Sequence, residues 1–265
     1  MTGRIFLANV GVNASHRFTS PVFGDGAFEF LPIPEDRGLD GDHLVRYRGL
    51  RSHHDGTQDL LRYVPRRAWD WPTHNDPEFD TFTYGDNCDS APRAAGLKAL
   101  RPGDFLFFLA RLEDWDASGG NGSFGFYLVG FLHIAETNWL FRGVPSKRSE
   151  DDSSWFRRNA HVLRAKSDES YWDGFWVFRG DERSIRFRTA VPVTRELCLQ
   201  VFTSADGSPW KWDGGRTDLQ VIGSYTRSCR QVIDPGTRRG AERADALWDW
   251  IERYSDGWPV TPSMP

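Results

Sequence analysis

The residues best suited to chemistry fall in three polar clusters, each beside an apolar run that reads as a strand. After Ile5–Val10 come Asn13, Ser15 and His16, with Asp25 in the next turn. An amide, a hydroxyl and an imidazole supply donors and acceptors suited to a base edge or a ribose; Asn and Ser in such positions also serve as ordinary loop caps. The second cluster, His74, Asp76, Asp80, Tyr84 and Asp86, gathers carboxylates in a way that suits a cation or a general base. Its spacing matches no known metal-ligand pattern, and Asp is equally common in turns, so the sequence assigns neither a metal nor a cofactor. The third is Arg158–Asn159–Ala160–His161, followed by Arg179–Gly180–Asp181 and Ser184. An imidazole such as that of His161 titrates near neutrality and serves as base reader or proton shuttle, or simply as a satisfied structural group. Asp86 and His161 are therefore the candidates for acid–base work. Late in the chain Arg227, Arg230, Arg238 and Arg239 lie near Ser224, Tyr225 and Ser228, a stretch suited to phosphate contacts or to salt bridges with nearby acids.

The elements that must position these groups belong to a β-rich α+β chain, read as one domain over residues 1–265. Ile5–Val10 reads as a first strand, and Pro21–Phe23 and Ala27–Leu31 as a short pair around the Gly24–Gly26 turn. From Glu35 to Trp71 the chain reads as an excursion with at most a short helix near Thr57 to Tyr63, and such long loops are usually functional or mobile. Phe105–Leu112, apolar almost throughout, is expected to be a strand buried on both faces, turned back by the Gly/Ser-rich segment Ser118–Ser123 into an antiparallel partner, Phe124–Ile134. Gly174–Phe178 and Leu197–Phe202 read as further strands and Arg142–Arg158 as a surface loop. Ala244, Leu247, Trp248 and Ile251 recur at helical spacing, with Thr237 as cap and Gly257 and Pro259 behind the end.

Composition removes several function classes. Hydrophobic residues are 39% and charged residues 26%, enough apolar material to fold, and no apolar run is long enough to span a bilayer. The N-terminus carries no basic flank before an apolar stretch, and the three cysteines, Cys88, Cys198 and Cys229, form no C-x-x-C pair, so a reducing cytoplasm with neither disulfide nor structural zinc is expected. A net charge of −4 argues against a protein coating duplex DNA through a broad basic face. No P-loop, dinucleotide-binding glycine motif, H-E-x-x-H or nucleophile elbow is present. The 12 Trp can stack on bases or fill the core.

Val10–Asn13, Pro21–Pro34, Asp76–Phe79, Thr83–Asp86 and Asn159–His161 together resemble the third nucleotide-modification-associated domain family, over most of the chain. Its members are associated with predicted systems that modify DNA bases, so the resemblance implies a setting among modified nucleotides and base-modification enzymes without implying a reaction. Pro102–Asp104 leading into the buried strand, with the return strand Tyr127–Phe131, is similar to PUA-like domains of the EVE and YTH types, which hold a base in a partly closed barrel. Either a mixed or antiparallel sheet or such a barrel, with peripheral helices, is the expected fold. The expected function is recognition or processing of a modified nucleotide, or of a base in DNA or RNA, in a base-sized pocket. Asn13, Tyr84, Asp86, Asn159 and His161 would converge there with a stacking Trp, and His16, Asp25 and Arg227 would add contacts. An enzyme working by acid–base chemistry and a structural or partner-binding protein are the alternatives.

Overall fold

The computed structural model describes residues 3–54, 60–139, 155–204, 206–224 and 229–255. Numbered in chain order, the strands are β1 (Ile5–Val10), β2 (Ser20–Val22), β3 (Ile33–Pro34), β4 (Thr73–His74), β5 (Thr83–Asp86), β6 (Phe105–Asp116), β7 (Gly119–Trp139), β8 (Trp176–Gly180), β9 (Ile185–Pro192) and β10 (Arg230–Ile233). The α-helices are α1 (Ala160–Ser167), α2 (Arg195–Val201), α3 (Asp218–Val221) and α4 (Arg238–Tyr254). The main sheet runs β10-β1-β6-β7-β8-β5, with β2 also on β6 and β9 also on β7.

β6 sits at its centre because Phe105–Ala110 has no polar side to offer water. It pairs in parallel with β1, from Ile5 opposite Phe105 to Val10 opposite Ala110, and antiparallel with β7. On one face Phe107 meets Phe131 at 5.0 Å and Trp248 of α4 at 5.4 Å; on the other Phe108 meets Phe79 at 5.7 Å and Tyr84 at 5.4 Å. The β6–β7 hairpin turns earlier than its Gly/Ser composition implies: Asp116 already faces Gly119, and the Ser118 N–H donates to Asp116 Oδ1 at 2.7 Å. The closing helix starts at Thr237, whose hydroxyl accepts from the Gly240 N–H at 3.0 Å, and buries Ala244, Leu247 and Ile251. The stop signals read at Gly257 and Pro259 lie outside the described residues.

Three expectations are corrected. The sheet is mixed and open, so the PUA-like barrel is not formed. Leu197–Val201 is helical, not extended: Thr194 caps α2 by accepting from the Leu197 N–H at 3.2 Å, and Leu197, Cys198 and Val201 form a buried face while Leu199 stays exposed. A short apolar run carries no period of its own, and here the cap and the Arg195–Glu196 start decide. Ala27–Leu31 makes only isolated bridges, Val22 to Phe28 and Ala27 to Thr189, rather than a strand.

The excursion after Glu35 packs around a second core of Val12, Phe18, Leu31, Tyr47, Leu60, Tyr63, Val64 and Ala68. The short helix expected near Thr57–Tyr63 is a 3-10 turn at Leu60–Tyr63, with residues 55–59 outside the described ones, as is most of the expected loop at 142–158. No helix among the described residues is long and apolar enough to cross a membrane.

Candidate functional site

A cavity of about 580 Å³ opens where the end of β1, the β3–β4 ribbon, β5 and α1 meet, within the range of about 300–1,000 Å³ typical of small-molecule sites. Local structure explains each group on its wall. Ile33 pairs with His74 across β3 and β4, which sets Glu35 against the imidazole; His74 Nδ1 donates to Glu35 Oε2 at 2.6 Å. Burial would raise the Glu35 carboxyl, but the hydrogen bond and charge of His74 outweigh it and hold Glu35 below its ordinary value. On α1, Asn159 Oδ1 accepts from the His161 N–H at 3.0 Å, so the helix starts where His161 and Arg164, three residues apart, share the face toward the cavity.

Asp76 is the hub. Its Oδ2 accepts from the Gly85 N–H at 2.8 Å and lies 3.6 Å from His161 Nε2 and 3.8 Å from His74 Nε2, while its buried Oδ1 has no hydrogen-bond partner among the described residues. Burial pushes the Asp76 carboxyl well above the usual carboxylate range and holds His161 well below the usual imidazole range, helped by the nearby charges of His74, Arg164 and Arg93. Burial thus disfavours charge on both groups. Arginine has only donors, so the 3.1 Å contact between Arg164 Nη2 and His161 Nδ1 makes Nδ1 the acceptor. The two imidazoles stand edge to face at 4.6 Å. One ligand-type atom each from His74, Asp76 and His161 falls within 4.8 Å of the others.

Across the cavity Asp86 holds Arg93. The guanidinium reaches both carboxylate oxygens at 3.2 Å, Tyr84 Oη donates to Oδ2 at 3.0 Å, and the Asn87 N–H donates to Oδ1 at 2.8 Å. The Asp86 oxygens are thus taken, and Arg93, whose side chain is 45% exposed, borders the cavity.

Of the residues singled out in the sequence, His16, His74, Asp76, Tyr84, Asp86 and His161 line this cavity. Asn13 caps a 3-10 turn at Ala14–His16 and Asp25 caps its own turn by accepting from the Ala27 N–H at 3.0 Å; neither is on the wall. Asn159 is buried behind His161, and Arg227 lies outside the described residues. Arg238 bonds Glu242 one helical turn on, at 3.2 Å. No Trp lines the cavity among the described residues; Trp172 and Trp210 are buried in the core against Phe175 and Phe202 instead. Sequence reasoning misses Glu35, Arg93 and Arg164. Of these, Arg164 is within its reach through the helical spacing from His161.

The profile of the family described as "Nucleotide modification associated domain 3" matches residues 4–228. The chain belongs to this family. The match covers every wall residue of the cavity, from Asn9 to Asp173, so the nucleotide-modification-associated domain contains the whole site, and α4 follows it. No curated protein and no solved structure matches the chain.

At Gly85 this domain packs β5 tightly against the start of α1. A Cβ there would stand 2.5 Å from His161 Cδ2 and 2.9 Å from Asn159 Oδ1, and both side chains are buried and bonded. Gly85→Ala is therefore expected to cost about 1–3 kcal/mol, the range for overpacking, and to move the His161 ring. Urea unfolding measures the first and the His161 ring resonances the second; an unchanged midpoint would mean that His161 has room to yield.

Proposed function

We propose that this chain processes a nucleotide or a nucleic-acid base within a base-modification system, taking it into the cavity bounded by Asp76, Arg93 and His161. The observation that carries the reading is the convergence of Glu35, His74, Asp76, His161 and Arg164, drawn from separate stretches of chain, on one wall of a ligand-sized cavity. Burying so many ionisable groups together is costly, and strongly perturbed groups in a cleft are the mark of a working site. In this reading Arg93, steadied by Asp86, takes the phosphate or another anionic group, as a guanidinium held by a carboxylate is suited to do. Tyr84 and Asp86 position it rather than react.

The domain's association with nucleotide modification fits partners that make or use modified bases, in DNA or RNA. Free, buried Cys88, Cys198 and Cys229 fit a reducing cytoplasm.

The test is calorimetric titration of ordinary and modified nucleoside monophosphates, and of oligonucleotides containing the same bases, into wild type and Arg93→Ala. Binding of one ligand per chain, weakened about tenfold or more in the variant, is expected from the loss of a charge-assisted hydrogen bond. Equal affinity in both proteins would remove Arg93 from the site.

A further inference from the structure

We infer that His74 Nε2, Asp76 and His161 Nε2 form a binding site for one divalent first-row transition-metal ion. The inference rests on reading this cavity as the working site, but it concerns the ion alone.

Three observations carry it. The first is geometric. Metal bonds of about 2.0–2.2 Å to nitrogen and oxygen put neighbouring ligand atoms roughly 3.0–3.5 Å apart; the Asp76 Oδ2 separations are 3.6 Å and 3.8 Å and all three ligand atoms lie within 4.8 Å of one another, so the imidazoles would move inward on an ion. The second is the unsatisfied acceptor. Among the described residues Asp76 Oδ1 has no hydrogen-bond partner, on a side chain only 2% exposed, an arrangement that normally costs free energy and that a cation held by both carboxylate oxygens would relieve. The third is the tautomer of His74. Because Nδ1 donates to Glu35, Nε2, on the side of Asp76, is the ring nitrogen left to bind an ion. A carboxylate behind the distal nitrogen of a ligating histidine is the usual outer support of a metal site.

The donor set decides the class of ion. Two imidazoles and one carboxylate suit zinc, iron or a neighbour of theirs, with positions left for other ligands, and are poor in the oxygens that magnesium and calcium need. The positive charge nearest the site is the obstacle to weigh. Arg164 Nη2 donates to His161 Nδ1, and an ion on Nε2 would put a proton on Nδ1 and displace the guanidinium. Other acceptors are close: Asn87 Oδ1 at 3.4 Å and Glu35 Oε1 at 3.9 Å, with the Tyr171 ring at 4.7 Å. Asp86 and Glu78 add negative charge around Asp76.

The experiment is titration of Zn²⁺, and separately Mg²⁺, into tag-free, chelator-treated chain without nucleotide. X-ray absorption on the zinc-loaded wild type accompanies it. One Zn²⁺ per chain is expected, with micromolar or tighter affinity and no comparable Mg²⁺ binding. Zinc affinity should fall at least a hundredfold in His74→Ala and Asp76→Ala, and about 10–100-fold in Glu35→Gln, the usual range for an outer-support residue. The absorption spectrum should contain two imidazoles and no sulfur, and it decides the matter from wild type alone where a variant does not fold. No zinc binding to folded wild type, unchanged affinity in folded His74→Ala and Asp76→Ala, or a spectrum without paired imidazoles would overturn the inference. Zinc binding without any nucleotide binding would sink the functional reading and leave the metal site standing; nucleotide binding without zinc would do the reverse.

Discussion

His161→Ala is expected to lower product formation by about 10²–10⁴-fold, the range for removing a side chain that works at a reacting centre, while nucleotide affinity changes by less than about tenfold. His161 touches the groups on which the site depends: it lies 3.6 Å from Asp76, accepts from Arg164 at 3.1 Å, and packs on Phe175 at 5.2 Å. The side of the cavity proposed to take the anion, built on Asp86 and Arg93, does not use it. Burial disfavours charge on both His161 and Asp76, and the variant removes a ring without adding a charge to the interior, so it should still fold. Single-turnover kinetics and calorimetry on the same preparations separate the two effects. A loss confined to turnover means that the contact is made in the reacting step; a parallel loss of affinity would make His161 a group for binding alone.

The largest effect on stability is expected from Phe108→Ala, about 3–5 kcal/mol, as for other fully buried phenylalanines, with a fall in Tm of roughly 6–20 °C. Phe108 is fully buried on β6 and packs against Phe79 and Tyr84. Tyr84 in turn donates to Asp86, so the void would open beneath the support of Arg93. Nucleotide affinity should therefore fall as well. Chemical denaturation measures the stability loss: the midpoint drops with little change in slope. A loss below about 1 kcal/mol would mean that the neighbouring aromatics refill the space and that β6 is not the centre of the core.

The parts of the fold legible in the sequence are those whose signals are local. Phe105–Ala110 reads as a strand buried on both faces, and Thr237 with Ala244, Leu247 and Ile251 as the start and buried face of one helix, and both readings hold. Leu197–Val201 reads as a strand in error because the same few apolar residues satisfy either period, and the deciding cap, Thr194, lies outside the run. In the site, Tyr84 and Asp86 are readable because residues two apart on a strand share a face. Glu35 is not, since it reaches His74 only through the pairing of Ile33 with that residue, and a two-residue ribbon has no sequence signature. For the same reason the spacing of His74, Asp76 and His161 suggests no metal: the third donor arrives on a helix distant in sequence. Asn13 and Asp25 take the capping role that short polar side chains fill in loops.

Mass spectrometry is the most direct test of the claim that the cavity does chemistry. Wild-type chain, supplied with zinc, iron or manganese in turn, is incubated with the nucleotide or oligonucleotide that binds it most tightly, and the nucleosides are analysed. A new nucleoside mass formed by wild type and reduced at least about a hundredfold in His161→Ala is the predicted result. Tight binding with every base recovered unchanged would contradict it and leave a protein that recognises its nucleotide without altering it.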